Sequence, residues 1–265
     1  MRSLISTLVR REIAGRYRGS MLGMLWSLLT PLFMLAVYTF VFGVVLRARW
    51  ASVGGEGAQA AAAQPTTAEF AIILFAGLIV FQLFSEVVLR APTLVLGNAN
   101  YVKKVVFPLQ ILPVVSLGSA LFHAGVSLVV LLGFMLAVYG AIPLTALLLP
   151  IVIAPYCLMI LGIAWFLAAL GVYYRDINQI LGTLVTALMF LSPIFFPLSA
   201  LPEWIRGWIA LNPVSLPVEQ TRALLIFGAM PDLLGLAAYT AAALAVAALG
   251  YAWFQKTRKG FADVL

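Results

Sequence analysis

Side chains able to do chemistry are sparse in this sequence. His123 is the single histidine and Cys157 the single cysteine. A multi-histidine metal site, an intrachain disulfide and a thiolate cluster are therefore all out of reach. No glycine-rich loop ending in Gly-Lys-Ser or Gly-Lys-Thr occurs, so the chain lacks the usual cradle for nucleotide phosphates. A Ser-His-Asp set would have to be built around His123, which lies amid Leu121, Phe122 and Val126. A lone histidine there is either a proton-relay site or, more commonly, a partner in an interhelical hydrogen bond. Gln82 and Glu86 stand four residues apart with Ser85 beside them. On a helix they share a face, which should turn toward protein rather than lipid. Arg90, one turn on, is placed to pair with Glu86.

The elements that must position these residues are set by composition. Hydrophobic residues make up 64% of the 265 positions and charged residues 9%, with a mean hydropathy of +1.09. A soluble domain carries about 25% charged residues, so water could not solvate this surface. The expectation is an all-α integral membrane protein with one transmembrane domain over residues 1–265. Its charge of +7 fits basic residues flanking membrane spans, and no basic patch with interleaved aromatics points to nucleic acid. The polar start, MRSLISTLVRREIAGRYRGS, is too long for a signal peptide and is expected to remain uncleaved.

Crossing the hydrocarbon takes about 20 mainly apolar residues. Six stretches qualify: 21–46, 70–89, 111–138, 144–170, 177–196 and 233–254. Residues 198–231 are apolar on average but carry Pro202, Pro213, Pro217 and Pro231 among Glu203, Arg206, Glu219 and Arg222. Each charge would cost about 2.5–3.5 kcal/mol at mid-membrane, and proline breaks the backbone bonding that lipid demands. Two short re-entrant helices, near 201–211 and 214–227 and broken at Asn212-Pro213, fit better.

Six spans place both termini on one side. With that side cytoplasmic, the inner segments hold Arg2, Arg10, Arg11, Arg16, Arg18, Arg90, Lys103, Lys104, Arg175, Lys256, Arg258 and Lys259. The outer segments keep Arg47, Arg49, Arg206 and Arg222. The positive-inside rule therefore makes the termini cytoplasmic. The inner acids are then Glu12, Glu86, Asp176 and Asp263, a thin set for a membrane glycosyltransferase.

Three inner segments have character of their own. In residues 1–20, Leu4, Ile5, Leu8, Val9 and Ile13 share half of a helical wheel, opposite Arg10, Arg11 and Arg18 and interrupted by Glu12. That pattern predicts an interfacial helix on the inner leaflet. The loop 90–110 is too long for a simple turn; its apolar stretch Val102–Phe107 carries Lys103-Lys104, which reads as a docking element or as a solvated connector. In Tyr173-Tyr174-Arg175-Asp176, Asp176 is expected to cap the fifth span. The outer stretch 47–69 is a small-residue linker with no chemistry assigned.

Taken in order, RREIAGRYRGSMLGMLWSLLTPLFMLAVYTFVFG, NANYVKKVVFPLQILPV, YYRDINQI, SPIFFPLSALP and LNPVSLPVEQTRALL resemble the membrane subunits of bacterial ABC exporters for lipid-linked O-antigen and related polysaccharides. The resemblance implies a non-catalytic permease in the bacterial inner membrane, working as a homodimer with two copies of a separate ATPase. ATP and magnesium would belong to that partner, leaving this chain without a cofactor. It further implies that loop 90–110 is a cytoplasmic coupling loop docked into the ATPase, with Tyr173–Asp176 a secondary contact. Coupling would fall to Arg90, Asn98, Tyr101, Lys103, Lys104, Arg175 and Asp176. For a polyprenyl-diphosphate-linked glycan, Arg16 and Arg18 are candidates to capture the diphosphate, since guanidinium matches phosphate oxygens; ordinary inner-side flanking is the other reading. Sugars stack on aromatic faces, and Tyr38, Phe42, Phe190, Phe195 and Phe196 are expected to line the outer half of a channel. Gly15, Gly19 and Gly23 either allow close helix approach or break the surface helix from the first span. Capsule, teichoic acid or a small lipophilic compound would suit the same architecture, and a structural scaffold would leave the long inner loop unexplained.

Overall fold

A computed structural model of the chain describes residues 2–41, 66–100, 107–198 and 201–264. The described residues are all helical or irregular, with no strand among them. Helix α1 spans Arg2–Arg16. A 3-10 turn at Gly23–Leu25 leads into α2, Trp26–Tyr38. There follow α3 (Thr67–Arg90), the short α4 (Thr93–Leu96) and α5 (Ile111–Tyr139). A 3-10 stretch at Leu144–Leu148 opens α6 (Leu149–Tyr173). Then come α7 (Ile177–Phe190), α8 (Glu203–Ala210), α9 (Ser215–Leu225), α10 (Leu233–Thr257) and α11 (Phe261–Val264).

Five of these stretches are long and apolar enough to cross a membrane: Gly23–Val41, Thr67–Arg90, Ile111–Tyr139, Leu144–Tyr173 and Leu233–Gly260. The expected span 177–196 differs. Its helix stops at Phe190, and 14 residues rise only about 21 Å against a hydrocarbon core of about 30 Å. The cause is local. Pro193 has no N–H to continue the ladder and disfavours helix at Ser192, whose hydroxyl instead bonds the Leu188 carbonyl at 2.5 Å. Apolarity runs on past this break to Phe196, so the helix covers 177–190 of the expected stretch.

Helix α3 is the central helix, buried along most of its length from Phe70 to Val88. Its start is fixed by a reciprocal cap: the Glu69 N–H donates to Thr66 Oγ1 at 3.3 Å and the Thr66 N–H to Glu69 Oε2 at 2.6 Å, which satisfies two of the free helix-end donors. Around it, α5, α6 and α9 close one core containing Val80, Leu83, Leu117, Tyr156, Ile160 and Val218. The Tyr156 hydroxyl donates to the Val80 carbonyl at 3.0 Å.

The most extensive helix pair is α6 with α10. Gly162 and Gly250 face each other there, and a Cβ on either would run into the other helix's backbone. Small residues thus let two membrane helices meet at van der Waals distance. Gly15, Gly19 and Gly23 play no such part within the chain, since a Cβ on any of them meets nothing within 4 Å. Gly19 and Gly23 have φ of +86° and +52°, conformations that glycine adopts without strain. They mark the break between α1 and α2.

The expected pair of short helices appears as α8 and α9, separated by a turn at Asn212-Pro213. Asn212 Nδ2 donates to Ser192 Oγ at 2.9 Å and its Oδ1 accepts from the Val214 N–H at 3.0 Å.

Candidate functional site

Along α1 the apolar residues Leu8 and Ile13 are buried, and Leu8 packs with Ile111 and Val115 of α5. This leaves Glu12 and Arg16, one turn apart, facing the end of α3. There Arg90 Nη1 meets Glu12 Oε1 at 2.7 Å, and Arg16 pairs with Glu86. Two ion pairs, Glu12 with Arg90 and Arg16 with Glu86, therefore link α1 to the end of α3.

The expected pairing of Arg90 with Glu86 within α3 is thereby replaced. Both residues instead serve α1, which also explains why Glu12 interrupts the apolar arc. Glu86 keeps only 8% of its side-chain surface while Arg16 keeps 45%. The carboxylate is the fixed half of that pair, and the guanidinium stays open to other anions.

One residue beyond Arg16, the Tyr17 hydroxyl lies 3.3 Å from His123 Nδ1 on α5, with the two rings edge-to-face. Burial raises the Tyr17 phenol above its ordinary value, so it stays protonated and can donate to the ring nitrogen. His123 is thus in an interhelical contact, and its Nε2 is buried without a hydrogen-bond partner among the described residues.

These contacts frame a groove of about 280 Å³ between the α1–α2 junction, α2, α3 and α5. Arg16 and Glu86 stand at one end. Gln82, His123, Ser127, Ser27 and Thr30 supply hydrogen-bonding groups, and Trp26, Tyr38 and Phe75 supply rings. Beside it, sharing Arg16, Gln82 and Glu86, an open cleft of about 660 Å³ is lined by Glu12, Gly15, Ser85, Leu89 and Arg90. A half-free cation at the mouth and aromatic and hydroxyl groups behind it suit an anionic, polar head group on a lipid. Arg16 and Tyr38, expected to act far apart, come together in this groove.

Other expected residues lie elsewhere. Arg18 is exposed in the turn after α1. Phe190, the last residue of α7, stacks on Phe195 at 5.7 Å, with Phe196 half-buried next in sequence. Phe42, Tyr101, Lys103 and Lys104 lie outside the described residues, as does most of the 47–69 segment. Asn98 donates to the Leu94 carbonyl at 2.8 Å and so closes α4.

Leu94 and Val95 of α4 are buried against Ala168, Ala169 and Val172 of α6 and against Phe254 and Phe261. Gly171 leaves room for the Pro92 backbone. Tyr173 donates to the Thr257 carbonyl at 2.9 Å, and Trp165 to the Gln110 carbonyl at 2.9 Å. The start of the 90–110 segment, the Tyr173–Asp176 junction and the end of α10 therefore gather at one end of the bundle, the end that carries α1. Arg175 and Asp176 are exposed there. Asp176 sits at the cap position of α7 but makes no side-chain cap bond, so the expected cap is absent; its backbone φ of −75° and ψ of −7° are already helical, whereas a capping side chain needs extended backbone.

Sequence reasoning missed the role of Arg222. It is 3% exposed and donates to the Ile73 carbonyl at 2.9 Å, the Ile194 carbonyl at 2.6 Å and the Pro193 carbonyl. One guanidinium thus ties α9 to α3 and to the irregular segment after α7. The signal was an arginine within an apolar stretch, but nothing in the sequence named the three carbonyls.

The chain matches the family model described as ABC-2 type transporter over residues 3–226. It belongs to that family. An O-antigen export system permease protein of Myxococcus xanthus is 30% identical over 265 residues, covering 99% of this chain and 95% of the relative. A Klebsiella pneumoniae protein of the same description is 24% identical with the same coverage. The polysialic acid transport protein KpsM of Escherichia coli is 26% identical over 224 residues, covering 82% of this chain and 79% of the relative. As an ABC-2 family member the chain is a transporter membrane component, and the groove of Arg16 and Tyr38 is its candidate solute contact.

Proposed function

We propose that this chain is the channel-forming permease subunit of an exporter that moves a lipid-linked, O-antigen-type polysaccharide across the bacterial inner membrane. Membership of the ABC-2 family over residues 3–226 carries this reading, and the likeness to the O-antigen export permeases of Myxococcus and Klebsiella points to the cargo. Energy would come from two copies of a partner ATPase bound to a homodimer of this chain, with ATP and magnesium held by that partner. The permease itself supplies no catalytic group.

In this reading both termini are cytoplasmic, α7 with the residues after it completes a sixth crossing, and α8 and α9 enter the membrane and return. Loop 90–110 engages the ATPase through Arg90, Asn98, Tyr101, Lys103 and Lys104, and Arg175 and Asp176 make a second contact. Arg16, with Arg18 nearby, receives the polyprenyl diphosphate, exchanging Glu86 for phosphate oxygens; sugars then pass the rings of Tyr38, Phe42, Phe190, Phe195 and Phe196. The sharing of one groove by Arg16 and Tyr38 supports this order of contacts. Capsule polysaccharide is the second reading, favoured by the likeness to the polysialic acid transport protein.

The test is co-purification with the candidate ATPase, followed by ATP hydrolysis with and without polyprenyl-linked glycan. Stable association and glycan-stimulated hydrolysis are expected. Failure to bind any ATPase would overturn the assignment, and stimulation by capsule polymer alone would favour the second reading.

A further inference from the structure

A separate cavity of about 260 Å³ lies inside the bundle between α3, α5, α6 and α9. Its wall is hydrocarbon, formed by such residues as Ala76, Ile79, Leu83, Leu128 and Ile153. One polar group reaches it. Thr221 of α9 is 3% exposed, and its Oγ1 has no hydrogen-bond partner among the described residues. The mouth runs along α5 and the start of α6, where Leu121, Gly125 and Pro150 are exposed.

Three candidate fillings can be weighed. An ordered water needs two to four polar partners, and this cavity offers one. A vacuum would forfeit the dispersion contacts of the whole lining. The mouth, however, opens between two helices long and apolar enough to span a membrane, where the surrounding medium is hydrocarbon chain. From Ala76 to Leu83 the wall extends about 10 Å along α3, enough to seat a chain segment lengthwise.

We infer that this cavity holds one acyl chain of a membrane phospholipid, entering sideways between α5 and α6, with the Thr221 hydroxyl donating to its ester carbonyl. The inference does not depend on which solute is exported.

The full chain is reconstituted in vesicles of phosphatidylethanolamine and phosphatidylglycerol doped with a phosphatidylethanolamine bearing a diazirine in its acyl chain. After irradiation, label is expected on Ile79, Leu128 and Ile153. Gly125→Leu has room to be accommodated on its own helix, and it should remove that label while leaving label on the outward-facing Leu249 of α10. Thr221→Val should abolish a preference for the ester-linked probe over its ether-linked analogue. Equal labelling of cavity wall and Leu249, unchanged by Gly125→Leu, would overturn the inference. So would displacement of the label by polyprenyl phosphate, which would make the occupant an isoprenoid. Disulfide dimers of Gly125→Cys in a Cys157→Ser background would also overturn it, by placing a second copy at the mouth.

Discussion

Arg222 and Arg16 are both cations in a chain built largely of hydrocarbon, yet they are held in opposite ways. Arg222 is enclosed, its guanidinium spent on carbonyls from two separate segments. Arg16 has one carboxylate partner, and nearly half of its side chain faces an open cleft. A buried charge whose three guanidinium nitrogens all bond main-chain carbonyls cannot exchange partners without breaking the fold. Arg16 can, because its side chain stays 45% exposed while Glu86 keeps 8%, so an incoming anion can reach the guanidinium from the cleft. The first arrangement is architectural, and the second is the one the proposed function uses.

The contrast can be broken at Arg222 first. Arg222→Met strands the buried Pro193 and Ile194 carbonyls and should destabilise the protein by about 3–5 kcal/mol, seen as a large drop in thermal unfolding temperature in detergent. Arg222→Lys should recover only part of it, since an ammonium lacks the planar fork. An unchanged unfolding temperature for the methionine variant would dissolve the distinction. A parallel contrast exists among glycines. Gly250→Ala presses a methyl into the Gly162 carbonyl and should cost about 1–3 kcal/mol, whereas Gly15→Ala meets open space and should stay within about 0.5 kcal/mol. Equal effects would mean that the α6–α10 contact is looser than its geometry. Smaller still, Tyr17→Phe deletes one hydrogen bond to His123 and should cost about 0.5–1.5 kcal/mol, measurable by denaturant titration. The exchange of Arg16 and Glu86 for one another keeps the pair but moves the cation to the α3 side of the cleft, so unimpaired transport by that double variant would deny Arg16 its place.

Much of this was legible in the sequence. Long apolar runs give the membrane class and five helices long and apolar enough to cross, because burial in lipid leaves no alternative to continuous helix. Proline and charge together mark α8 and α9. Hydropathy did not show where the fifth helix stops, since it counts side chains and overlooks the backbone donor missing at Pro193. Pairings were harder. Glu86 and Arg90 looked like partners because a single helix offers i, i+4 neighbours, but Glu12 and Arg16 carry the same spacing on α1, and only the structure shows that the partners lie on the other helix. Arg222 illustrates the limit from the other side: its three acceptors are main-chain carbonyls, which every residue possesses and no sequence pattern distinguishes.

The central claim, that Arg16 receives the anionic end of the exported lipid, is most directly tested by ATP hydrolysis of the reconstituted permease–ATPase complex carrying Arg16→Gln. Glutamine keeps a hydrogen-bond donor toward Glu86 while removing the charge. Basal hydrolysis and unfolding temperature should match the unmodified complex, and stimulation by polyprenyl-diphosphate glycan should disappear. Full stimulation in that variant would contradict the account.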